Sequence, residues 1–120
     1  MKKFTFRLQV VLDRALDEEE KQQQLLAKLR NELLAKEREI SDVNCKREQT
    51  MGLVMHMQDG AFEAHQMHAA YLHLEGLGND LADLATQRRE IDGRVGAKQR
   101  EVIEAMRKRQ VLEKLREKQL

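Results

Sequence analysis

Apolar residues recur along this chain at alternating steps of three and four, a period that suits paired helices and excludes strands, whose side chains repeat every two residues. In the first half the series is Leu8, Leu12, Ala15, Leu26, Leu29, Leu33, Ile40, Val43, Val54 and Met57. It fits one unbroken heptad frame with Leu12 at a and Ala15 at d; Glu19, Gln22, Lys36, Arg47 and Thr50 are the polar occupants of the same seam. In the second half the seam is Leu74, Leu77, Leu81, Leu84, Ile91, Val95, Val102, Ala105 and Leu112, interrupted by Arg88, Lys98 and Arg109. No proline obliges either helix to break. Charged residues reach 36% and aromatics only 3%, a balance suited to long helices and too poor in rings for a dense globular core.

Two seams need one connection. Gln58-Asp59-Gly60 carries the best turn chemistry, because aspartate and glycine tolerate the positive φ of a tight link. Gly76-Leu77-Gly78-Asn79-Asp80 is a rival, but a turn there would leave one arm far longer with its apolar stripe unpaired. The expected fold is therefore all-α: a long two-helix antiparallel coiled-coil hairpin in a single domain, residues 1–120. Arm one covers about 5–57, the turn about 58–61 and arm two about 62–118, each arm on the order of 80 Å long. Gly52, Gly93 and Gly96 fall on the outer face, costing helix propensity without opening the seam. The alternating Phe4-Thr5-Phe6-Arg7-Leu8 admits an extended start.

Polar seam residues commonly fix register at a cost in stability. A sharper expectation is a cross-arm pair: counting outward from the turn brings Glu19 close to Lys98.

The two ends differ in chemistry. Between Arg47 and Arg88 lie Glu48, Asp59, Glu63, Glu75, Asp80 and Asp83 without a lysine or arginine, together with His56, His65, His68, His73, Met51, Met55, Met57 and Met67. Lys98–Lys118 holds eight basic and four acidic residues, and Lys2, Lys3 and Arg7 join them at the open end. Such asymmetry suggests two different partners. Off the seam, Met55, Phe62, Tyr71 and Leu72 near the turn, and Phe6, Val10, Ile103 and Val111 at the open end, are candidate contacts.

Other functions find little support. Net charge is +1, and the acidic turn region with few aromatics disfavours nucleic acid. No apolar stretch suits a membrane span or a signal peptide, so direct bilayer insertion is not expected. Cys45 falls on the outer face as a lone thiol, fitting a reducing cytosol. His65 and His68 could share a helix face but gain no converging third ligand. Nothing resembles a nucleotide loop, and a slim rod lacks the concave pocket catalysis uses. No cofactor, metal or enzymatic activity is expected.

The opening Phe4-Thr5-Phe6-Arg7-Leu8-Gln9-Val10-Val11-Leu12-Asp13, followed by Glu18-Glu19-Glu20, resembles the start of the flagellar FliJ family. The closing Lys108-Arg109-Gln110-Val111-Leu112-Glu113-Lys114-Leu115-Arg116-Glu117-Lys118 is similar to that family's basic ending. The family pattern continues further at the C-terminus than this chain does. The resemblance implies a hairpin similar to the central stalk of rotary ATPases, acting in flagellar type III protein export and hence in motility. It implies contact with the hexameric export ATPase, with a membrane export gate and with export chaperones, at the cytoplasmic face of the membrane at the flagellar base. Carried onto this sequence, the ATPase contact falls on Phe4, Phe6, Arg7, Val10, Arg107 and Arg109, and the gate contact on Tyr71, Leu72, Leu74 and Leu77. Leu74 and Leu77 are seam residues as well. The equivalent stalk of a virulence secretion system and a generic coiled-coil scaffold or chaperone are the alternatives.

Overall fold

The computed structural model describes residues 2–60 and 63–119, leaving out the side chains of Asp59 and Gln119. Two helices account for nearly all of them: α1, Lys2–Asp59, of 58 residues, and α2, Ala64–Gln119, of 56 residues. They run antiparallel, because the bonds between them climb α1 while descending α2. Gln9 meets Arg116, Glu19 meets Arg109, Gln22 meets Lys98, and Lys36 meets Gln87. The expected all-α antiparallel hairpin is the observed fold.

Contacts divide the chain into two compact units, one of Met1–Asn31 with Asp92–Leu120 (the terminal unit) and one of Glu32–Ile91 (the loop unit). In the terminal unit Leu8, Leu12, Leu26, Val95, Val102 and Ala105 are buried, Leu12 at 1% exposure. All six stand on the heptad seam, where each side chain enters a hole on the facing helix. Among the described apolar residues of the loop unit only Val54, Ala70 and Leu77 are buried, and Leu33, Ile40, Val43, Met57, Leu74, Leu81, Leu84 and Ile91 are half-covered. The polar occupants explain the thinner core. Lys36 Nζ donates to Gln87 Oε1 at 2.8 Å, Arg88 donates twice to Glu37 Oε1 at 3.3 and 3.2 Å, and Arg47 turns out to solvent. Long side chains with solvated heads seal less apolar surface than leucine does.

The connection falls two residues later than the sequence suggests, with α1 ending at Asp59 and α2 starting at Ala64. Gln58 and Asp59 complete α1, whose last turn tightens as the Gly60 N–H donates to the Met57 carbonyl at 3.3 Å. Ala61 and Phe62 lie outside the described residues, so the contact expected of Phe62 does too. Glu63 caps α2: its carbonyl accepts from the Gln66 and Met67 N–H groups, while the Gln66 side chain accepts from the Glu63 N–H at 3.3 Å. That reciprocity is one half of a capping box. No described glycine takes a positive φ.

Three further expectations change. Phe4–Leu8 is helical from Lys2 onward, because Leu8 enters the seam at 6% exposure and a strand could not carry the frame on to Leu12. The seam of α2 begins before Leu74, at Met67 and Ala70. Glu19 pairs with Arg109 and not with Lys98, whose ammonium goes to Gln22 at 3.0 Å and Glu101 at 2.6 Å. Moving the centre of the connection past Gly60 shifts the partner of each α1 residue toward the C-terminus of α2. Side chains also lean toward the N-terminus of their own helix, which carries Arg109 back to the level of Glu19.

Candidate protein-interaction surfaces

The terminal unit exposes apolar groups that two helices cannot cover. Phe4, Phe6 and Val10 are 47%, 71% and 37% exposed, and Arg7 and Arg107 point into solvent. In the heptad frame Phe6, Arg7 and Val10 occupy the outer face of α1, and Phe4 flanks the seam. Lys2, Lys3, Phe6 and Arg7 border one open depression. Arg107 belongs elsewhere: with Val11, Ala15, Lys108, Val111 and Leu112 it lines a groove running between the helices. The six residues chosen from sequence thus do not form a single patch. Val11, 47% exposed, and Leu115, 38% exposed, are further apolar groups on the surface that the sequence pattern had not singled out. Both stand one step beside the seam, and asking which flanking positions are apolar would have found them.

Arg109 is not a free cation. Its Nε donates to Glu19 and its Nη1 donates to Glu113 at 2.9 Å, leaving the side chain 21% exposed. The hydrogen bonds to Glu19 and then Glu113 hold its pKa above the ordinary guanidinium value, against a smaller opposing effect of burial. Its role is inside the hairpin, where it balances Glu19, a carboxylate that is only 8% exposed.

Near the connection, Tyr71 and Leu72 are exposed at 47% and 54%, as a contact surface requires, while Leu74 is half-buried and Leu77 buried. Leu77 packs in the seam and offers nothing to a partner. Gln58 Nε2 donates to the Tyr71 hydroxyl at 3.0 Å, fixing the ring against the end of α1. Met51, Leu53 and Met55 of α1 are exposed in the same unit, spread over more than one side of the helix.

His56, His65, His68 and His73 are all exposed, and His65 Nδ1 meets Glu63 Oε2 at 3.1 Å. Among the described residues no three histidines, cysteines or carboxylates converge as metal ligands, and no helix is long and apolar enough to cross a membrane. Cys45 is exposed and unpaired. The terminal unit thus exposes apolar area rimmed by cations, and the loop unit exposes apolar area with a tyrosine hydroxyl. Comparison of the chain with models of protein families, with curated proteins and with solved structures finds no match.

Proposed function

We propose that this chain is a stalk of the flagellar type III export apparatus that acts by binding and not by catalysis. Its terminal unit binds the export ATPase, promoting assembly and activity of the hexameric ring. Its loop unit meets the export gate and export chaperones at the cytoplasmic face of the membrane. The observation that carries this reading is the concentration of exposed Phe4, Phe6 and Val10 beside Arg7 in the unit holding both chain ends. Aromatic rings and arginines are the side chains that most often anchor protein interfaces. The resemblance of the opening and closing segments to the FliJ family supplies the identity of the partners. Within that reading the ATPase contact is Phe4, Phe6, Arg7, Val10 and Arg107, with Arg109 removed to a structural role. The gate contact is Tyr71 and Leu72.

Hydrolysis by the cognate export ATPase, with and without the chain, tests this. Phe6→Ala with Arg107→Glu should abolish most of the stimulation while helicity stays unchanged, since neither side chain lies in the seam. Full stimulation by that variant would remove the terminal-unit assignment.

A second reading follows from the exposed Met51, Met55, Tyr71 and Leu72. Methionine-rich surfaces adapt to varied clients, which suits a scaffold or chaperone hairpin that needs no ATPase. No stimulation at all, by a folded chain on an active enzyme, would favour it.

A further inference from the structure

Arg7, Arg14, Lys21 and Lys28 stand seven residues apart on α1. They therefore fall on one line along the helix, with about 10.5 Å between neighbours. All four are exposed, and none makes an ion pair or hydrogen bond among the described residues. The same seven-residue step continues to Ala35, Asp42 and Gln49, so the cationic line belongs to the terminal unit alone. Beside it, one step nearer the seam, run Phe4, Val11, Glu18 and Leu25, the three apolar members 47%, 47% and 38% exposed.

The same flank continues onto α2. Val11 and Ala15 share a groove with Lys108, Val111 and Leu112. At the next level Glu18 and Gln22 share one with Glu101, Glu104 and Lys108. Between the two helices, then, lies a trough that is apolar, then carboxylate-lined, bordered on its α1 side by the row of four cations.

We infer that this flank docks a third helix: an amphipathic helix of a partner protein, with carboxylates repeating every seven residues. Three features select that occupant. The spacing of the cations equals a helical heptad rise and not the strand repeat of about 6.8 Å per two residues. The apolar neighbours at the same spacing give the helix's apolar stripe somewhere to lie, as a third strand of a coiled coil would. Of the carboxylates lining the trough, Glu101 is paired with Lys98, but Glu18 and Glu104 form no ion pair among the described residues, so a uniformly anionic partner, whether a lipid surface or a nucleic acid, would meet like charge at their level. A helix avoids that by placing one lysine or arginine at their level. The inference does not depend on the export-stalk reading.

The full chain is titrated with a synthetic helical peptide of about 28 residues, long enough to span the cationic line. It carries a leucine stripe, glutamates at seven-residue intervals beside it and one central lysine. The glutamate peptide should bind, and the same peptide with lysines for the glutamates should not. Arg14→Glu with Lys21→Glu should weaken the glutamate peptide about tenfold or more, and should gain binding of the lysine peptide. Because the swapped pair restores binding, loss of folding cannot imitate the result. Equal binding of both peptides, binding of neither, or an unaffected variant would overturn the inference. So would tighter binding to phosphatidylserine vesicles or to duplex DNA of about 20 base pairs that the same variant abolishes.

Discussion

Glu19 and Arg109 show how a seam position can be polar without being weak. Each sits where a leucine would ordinarily pack, and the guanidinium bridges two carboxylates, Glu19 across the pair and Glu113 one turn along α2. Removing one partner strands the other charge, whereas replacing both by apolar groups restores a continuous seam. Arg109→Leu alone should therefore lower the thermal midpoint by roughly 5–10 °C. Glu19→Leu combined with Arg109→Leu should return it to the starting value or above. A single variant with an unchanged midpoint would mean that the pair adds nothing to the native state. The raised guanidinium pKa fixes the sign of any pH effect from this residue. Its stabilisation is complete below the ordinary guanidinium range and is lost only as pH rises through the raised value, so Arg109 contributes no pH dependence near neutrality.

Within α2 two glycines weaken the helix through composition alone. Gly93 and Gly96 lie mid-helix, and a Cβ built at either meets no atom within 4 Å. Packing within this chain does not demand glycine there, so each position only forfeits helix propensity, about 1 kcal/mol relative to alanine. Gly93→Ala with Gly96→Ala should raise the midpoint of thermal unfolding by roughly 5 °C or more. Amide hydrogen exchange across residues 92–97 should slow in step. A lower midpoint would show that the outer face of α2 is crowded after all. Seam glycine would be another matter: a Gly at Leu12, the most deeply covered side chain, would open a cavity on top of the propensity loss.

For the molecule as a whole, the cross-helix polar pairs act as register keys. Gln22 with Lys98, Glu19 with Arg109 and Lys36 with Gln87 can be satisfied only when α1 meets α2 antiparallel in one alignment. A polar residue in a seam specifies partner and register more than it stabilises. Separate peptides covering residues 2–59 and 64–119 should accordingly prefer each other. Circular dichroism of the equimolar mixture should exceed the mean of the separate spectra, and the complex should sediment as a heterodimer. If the first peptide alone were as helical as the mixture, these pairs would not be choosing the partner.

The heptad frame was legible in sequence because burial in a coiled coil is a periodic property. A residue's place in the repeat tells whether it faces the other helix, and Leu12, Val54, Leu77 and Val102 occupy the covered positions that the repeat assigns. Exposure of Phe6, Met55, Leu72 and Val111 followed from the same arithmetic. What a repeat does not contain is alignment between the two copies of it. That depends on where the connection falls, here as far as Glu63, and on which way long side chains lean. Tertiary structure therefore decided that Arg109, already on the seam by its place in the repeat, meets Glu19, and that Val11 joins Lys108 and Val111 in one trough. Period is a property of one helix, but register is a property of two.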